Sequence, residues 1–326
     1  MKLASRASGH PDGELLVVSQ DLATCAPARA ASTLQQAIDG WDSVEDELEQ
    51  QYRALNRGEA RDAVPVSEVE LLAAMPRSYQ FLDGSAFLAH NHILAQAWRF
   101  EPRNALDPPL MYQGLSDRFL PPAADVTFRS ATDDIDFEAE FAIITDRVPL
   151  GVTPQQARSH IKLVLLLNDW SLRAFGPAEM KGGFGFIHAK PPSAMSAFAI
   201  SPTTLAEGWH QARVQLSTRI LVNDRPFGHP HGSEMSYGFD ELIAHAATTR
   251  DLCAGTVLGS GTVSSHDYER VGSGCIAERR AIDTIRGAAL TPYLQFGDRV
   301  RIDAVDAAGR SVFGPIEQRI TQRGVS

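Results

Sequence analysis

The segment Asp136-Phe137-Glu138-Ala139-Glu140-Phe141-Ala142-Ile143-Ile144 constrains this chain most, because it is an apolar strand interrupted by carboxylates. A strand sends residues i and i+2 to one face. Glu138 and Glu140 therefore project side by side, while Phe137, Ala139 and Phe141 line the other face. Adjacent like charges repel unless a cation lies between them, and oxygen donors of this kind suit Mg²⁺, Ca²⁺ or Mn²⁺. A solvated edge strand with outward acidic positions is the competing reading of an isolated Glu-x-Glu. Asp83 and Asp169 join the pair as acidic residues set in rigid-looking sequence. Asp169 stands where the apolar run Ile161 to Leu167 stops, in Asn168-Asp169-Trp170-Ser171. A carboxylate at the end of a buried element can be aimed into a cavity, although a helix ending in a polar turn would place Asn-Asp there too.

The remaining composition narrows the partners. With 326 residues the chain can bury a large core in one big domain or two unequal ones. Its 30 basic against 40 acidic residues give a net charge of −10, which argues against nucleic acid. Cys25, Cys253 and Cys275 are far apart, odd in number and without C-x-x-C spacing, so neither a disulfide framework nor a zinc site is expected. A reduced cytoplasmic setting fits best. No run approaches the length of a membrane span, and Met1 to Arg6 lacks the apolar stretch of a secretion signal.

Along the chain, Lys2-Leu3-Ala4 and Glu14 to Val18 flank a turn at Gly9 to Gly13 and read as a hairpin. Ser32 or Thr33 can cap a helix carrying Leu34, Ala37, Ile38 and Trp41. Asp42 or Ser43 can cap a second, carrying Val44, Leu48, Tyr52 and Leu55. Asn56 to Asp62 reads as a linker, with a domain boundary between about 60 and 75. The division is a small N-terminal β/α domain, 1–72, and a larger domain, 73–326. The latter reads as mostly β, with helices at 154–168, 203–208 and 239–250 and strands at 137–145, 212–223, 255–263 and 298–304. The fold class is α+β, mainly β.

Several reactive residues accompany the carboxylates. His90 follows Asp83 by seven positions, and if 84–97 is helical two turns put the pair on one face. A histidine beside a metal is a natural general base. A surface histidine is the plain alternative, and His92 competes for the role. Arg99 and Arg173 can dock a substrate carboxylate bidentately, and Lys190 offers a point charge for an oxyanion. Tyr112 is a phenolic donor in a loop-like setting. Gly259-Ser260-Gly261-Thr262-Val263-Ser264 lacks the Gly-Lys-Ser/Thr of a phosphate loop, and no Gly-x-Ser-x-Gly elbow is present.

The order and spacing of these residues resemble the fumarylacetoacetate hydrolase family, in its bacterial form with a short N-terminal domain, from about residue 70 to 320. The resemblance rests on Asp83 with His90, Tyr112-x-Gly114, Glu138-x-Glu140, Asn168-Asp169-Trp170-Ser171-x-Arg173, Lys190 and Gly261-Thr262-Val263-Ser264. It implies a rolled mixed β-sheet catalytic domain and a homodimer. A divalent metal, Mg²⁺ or Ca²⁺ with Mn²⁺ also accepted, would be held by Asp83, Glu138, Glu140 and Asp169. It implies His90 as base, oriented by Glu278, and substrate or oxyanion contacts from Lys190, Arg173, Tyr112, Arg99 and Thr262. The implied reaction is hydrolytic carbon-carbon cleavage of a β-diketo acid such as fumarylacetoacetate or an acylpyruvate, in aromatic-compound catabolism. The same site also serves decarboxylases, hydratases and isomerases of 2-oxo acids, and a non-enzymatic metal-binding paralogue is the remaining alternative. One departure is Gly176, which stands three residues after Arg173 where the fumarylacetoacetate enzymes carry glutamine.

Overall fold

Why four acidic residues distant in sequence can meet is answered by strand pairing. The computed structural model describes residues 1–324. Strand Ala139–Thr145 pairs antiparallel with Ile161–Asn168, setting Glu140 opposite Leu167 and Ala139 opposite Asn168. On its other edge it pairs with Thr256–Gly259, which runs parallel to Phe81–Gly84 with Gly259 opposite Asp83. Phe81–Gly84 then pairs with Met111–Gly114, setting Asp83 opposite Tyr112. Four of these five adjacent strands thus carry the acidic residues and the phenol to one end of the sheet.

These strands form the centre of a large mixed sheet that continues through Phe198–Ile200 into Lys2–Arg6, Glu14–Val18 and Thr24–Pro27. Alternation along Ala139–Thr145 divides the core. Phe141 and Ile143 pack with Phe313, Ile302 and Ile320 of the region of a second, five-stranded sheet. Ala142 and Ile144 face Leu34, Ile38, Trp41 and Leu48 of the N-terminal helices Leu34–Asp39 and Trp41–Asn56. Phe141 is fully buried, and truncating such a ring to alanine costs about 3–5 kcal/mol. The acidic strand is therefore central, with its carboxylate face continuous with apolar core, and the solvated-edge alternative falls.

The expected hairpin forms, with Leu3 opposite Val17 and Ala4 opposite Leu16. Thr33 caps the first helix through Gln36 N, 3.2 Å from its hydroxyl. The second helix begins at Trp41, ahead of both expected caps, because Ser43 turns its hydroxyl back to Gly40 O at 2.6 Å. The 154–168 helix does not form. Thr153 and Gln156 make a capping box, but the helix stops at Ala157 and Ile161–Asn168 is a strand. An apolar run buried on both faces looks alike as helix or central strand until its neighbours are known. Likewise the 84–97 helix starts only at Leu88, since Asp83 and Gly84 are held in their strand. Strand 212–223 is broken into Arg213–Val214 and Ser217–Val222, and 255–263 ends at Gly259. Helix Ile276–Arg286 was not anticipated. Among the described residues, no helix is long and apolar enough to cross a membrane.

Candidate active site and metal centre

Asp83, Glu138, Glu140 and Asp169 each offer a carboxylate oxygen, all within 4.8 Å of one another, and each is buried. Their surroundings differ sharply. Glu138 accepts from Lys190 Nζ at 2.6 Å and Arg173 at 2.6 Å. Asp169 accepts from Ser193 Oγ at 2.6 Å, from Lys190 Nζ at 2.6 Å and from the Tyr112 hydroxyl. Asp83 accepts only Gly261 N, at 3.1 Å. Neither oxygen of Glu140 has a hydrogen-bond partner although both are buried.

Electrostatics follow this partition. Burial raises Glu138, but Lys190 and Arg173 outweigh it and hold this carboxyl well below the ordinary range. For Glu140 burial is compounded by Asp83 and Asp169, which push it well above that range. Asp83 is pushed up to about 8, by burial first and the charge of Asp169 second. Burial works against the Lys190 ammonium, yet Asp169 and Glu138 keep it well above the ordinary lysine value. A buried, unpartnered carboxylate is costly, and a divalent cation supplies what Glu140 and Asp83 lack. With oxygen donors alone and no thiol or imidazole in the set, the residues fit a hard ion.

Two glycines make this convergence possible. A Cβ on Gly259 would lie 2.2 Å from Asp83 Oδ1 and 2.9 Å from Glu140 Oε2. Gly261 has φ +72° and a Cβ there would meet Gly84 O at 2.2 Å. Thr262 follows, buried, between Gly261 and Val263, which are tied to Asp83 and to Ala139 O respectively.

His90 sits in the first turn of helix Leu88–Trp98, and its Nδ1 lies 2.7 Å from Glu278 Oε2. Glu278 is fully buried, and the His90 ring lies close to Glu138. Asp83 and His90 do not share a helix face as expected, because Asp83 lies in strand Phe81–Gly84 and the helix begins only at Leu88. The two residues nonetheless converge on the same site. His92 points away: its Nε2 meets Arg103 O at 2.8 Å and its ring lies 5.4 Å from that of His266. Arg99 is left out of the constellation. It is exposed at the helix C terminus in a left-handed conformation, nine residues from His90, or about 13 Å at 1.5 Å per residue.

Asp136 is the residue that sequence reasoning missed. Fully buried, it accepts from Ile276 N at 2.8 Å, Ala277 N at 2.9 Å and Arg173 Nε at 2.8 Å. It therefore caps the helix that carries Glu278 and fixes Arg173 with the same carboxylate. Its place two residues before Glu138, on the same strand face, was the available signal. Ser193, on Asp169, had no such signal.

By sequence, residues 80–321 match the family model for the fumarylacetoacetate (FAA) hydrolase C-terminal domain, and residues 1–77 match fumarylacetoacetase N-terminal domain 2. The chain belongs to the fumarylacetoacetate hydrolase family. No curated protein sequence matches it. Among solved structures, a probable 2-hydroxyhepta-2,4-diene-1,7-dioate isomerase from Mycobacterium abscessus superposes with TM-score 0.69 at 16% identity, covering 100% of each chain. Maleylpyruvate hydrolase from Sphingobium sp. SYK-6, in complex with manganese(II) and pyruvate, gives 0.66 at 17%, over 99% of this chain and 100% of that one. The 5-carboxymethyl-2-hydroxymuconate delta-isomerase from Mycobacterium smegmatis gives 0.64 at 16%, over 100% of each. These likenesses establish a shared fold across hydrolases and isomerases.

Proposed function

We propose that this chain is a metal-dependent hydrolase that cleaves a carbon-carbon bond in a β-diketo acid, of fumarylacetoacetate or acylpyruvate type. The observation that carries this reading is the His90–Glu278 pair beside the carboxylate cluster. A carboxylate accepting from Nδ1–H leaves Nε2 free to take a proton from water, which hydrolysis needs and enol isomerisation does not.

Asp83, Glu138, Glu140 and Asp169 would hold Mg²⁺, Mn²⁺ or Ca²⁺, whose Lewis acidity would polarise a chelating diketone. Manganese in the Sphingobium enzyme supports a divalent ion here. His90 deprotonates water, which adds to the carbonyl carbon. Glu278 holds the ring, and Asp136 holds the Glu278 helix. Lys190 and Arg173 supply positive charge where the oxyanion develops. Tyr112 and Thr262 complete the substrate wall, and Arg99 would join only if its helix end moved inward. The carbon-carbon bond then breaks, one fragment leaves as a carboxylic acid, and the departing carbon takes back the proton. Exposed Trp98, Phe100, Leu106 and Leu110 offer an apolar face for a second copy in a homodimer, which sedimentation equilibrium tests. A cytoplasmic setting accords with the free cysteines.

The reaction is tested by incubating metal-reconstituted protein with fumarylacetoacetate, acetylpyruvate and oxaloacetate in ¹⁸O-water. Hydrolysis puts one ¹⁸O into the released acid from a diketo substrate. Turnover of oxaloacetate alone, or isomerised product without label, contradicts the proposal.

A further inference from the structure

Away from the carboxylate cluster lies a cavity of about 540 Å³ between strands Ser217–Val222 and Arg225–Gly228, the short helix Tyr268–Val271 and helix Ile276–Arg286. None of the four acidic residues lines it, nor do Lys190 or Arg173. Its walls are apolar at Ile220, Phe227, Val271 and Ile282, and four arginines reach it. Three of them are neutralised: Arg219 by Asp303 at 2.9 Å, Arg270 by Asp267 at 2.6 Å and Arg286 by Glu269.

Arg279 differs. Its guanidinium donates to two neutral oxygens, Ser273 Oγ at 3.0 Å and Phe227 O at 2.6 Å, and lies 4.8 Å from the centre of the Phe227 ring. Among the described residues no carboxylate comes within ion-pair distance of it. Asp283, one turn along the helix, commits Oδ2 to Thr291 N and Oγ1, both at 2.8 Å. Burial draws Arg279 below the ordinary arginine range, with Asp283 opposing. A partly desolvated cation without a counter-charge, over an aromatic wall, lacks an anion.

We propose that this cavity is a second binding site, for a small organic carboxylate with an apolar body. The carboxylate pairs with Arg279, and the body packs on Phe227 and Val271 in a space of the size that encloses small ligands.

Benzoate is the probe, with benzyl alcohol and acetate as its two halves, and binding to metal-loaded protein is followed by ligand-observed NMR. Saturable benzoate binding is expected, with each half at least about tenfold weaker. Arg279→Gln and Phe227→Leu should each weaken benzoate by about tenfold or more, while Lys190→Met leaves it unchanged. If Arg279→Gln fails to fold, Phe227→Leu decides by the same criterion. Binding that survives both cavity variants, binding lost with Lys190→Met, or no saturable binding by wild type in the millimolar range overturns the proposal.

Discussion

The two walls of the active site are built differently. The sheet wall carries Asp83, Glu138, Glu140 and Asp169 on or beside paired strands whose side chains are almost wholly buried. The opposite wall is a connection, residues 173–190, in which only Arg173 and Lys190 reach the carboxylates. Between them Met180, Phe184 and Ile187 stand exposed, and Glu179 closes the loop by accepting from the backbone of Ile187, His188 and Ala189. Phe186 leans edge-on against Tyr112, 5.2 Å between centroids. Strand pairing fixes the first wall to within the tolerance that ion binding needs, whereas the second is free to vary with substrate. The carboxylates thus sit on the sheet, and the two cations that reach them, Arg173 and Lys190, on the connection.

The largest effect should come from the sheet wall. Glu140→Gln is expected to abolish diketo-acid turnover. In metal-free buffer near pH 8 it should melt no lower than wild type, because it removes a buried carboxyl group that has no hydrogen-bond partner; a lower melting temperature would contradict this. Next comes the base. His90→Ala should lower kcat by roughly 10²-fold to 10⁴-fold with metal affinity nearly unchanged, and His92→Ala should do far less. An exchange of these effects would break the assignment that Glu278 marks the working histidine.

On the loop wall, a Cβ at Gly176 would meet nothing within 4 Å, so glutamine can be accommodated there. If it supplies a missing oxyanion donor, worth about 3 kcal/mol in other enzymes, kcat/KM for Gly176→Gln should rise on fumarylacetoacetate relative to acetylpyruvate, by up to about a hundredfold. Equal change on both substrates would remove position 176 from substrate choice.

A smaller effect sharpens the contrast through pH. Asp83, pushed up to about 8, and Glu140, also raised, are carboxyls whose protonated forms the metal-free fold prefers. Their contribution to stability is fully present below the ordinary carboxylate range and is lost as pH rises through the folded values. Glu138 is depressed and acts in the opposite sense, losing its contribution only in acid. Cation binding must displace the protons on the raised pair. Metal affinity should therefore fall by up to about tenfold per proton displaced for each pH unit below 8, while metal-free melting temperature falls on going from pH 6 to 8. Calorimetry and scanning fluorimetry at both pH values check the two slopes.

The two walls also differ in how far the sequence revealed them. Glu138 and Glu140 were legible because period-2 alternation is a local property, and Phe137 and Phe141 mark the opposite face. Asp169 was legible as the end of an apolar run, although that run was read as helix: Ile161–Asn168 is buried on both faces, and only its partners distinguish strand from helix. Glu278 was identified through family resemblance alone. What holds it, Asp136 at the start of helix Ile276–Arg286, is a contact between residues 140 positions apart. Arg99 shows the converse, since a contact implied by the family resemblance lies at an exposed helix end, away from the cluster.

The central claim is that the four carboxylates, with Glu140 unsatisfied among them, form a cation site. Titrating Mn²⁺ into metal-free protein while following its free EPR signal tests this most directly, with wild type and Glu140→Gln side by side at pH 8. The account predicts one tightly held ion per wild-type chain and none held tightly by Glu140→Gln, with both proteins folded. Unchanged stoichiometry and affinity in the variant would contradict it.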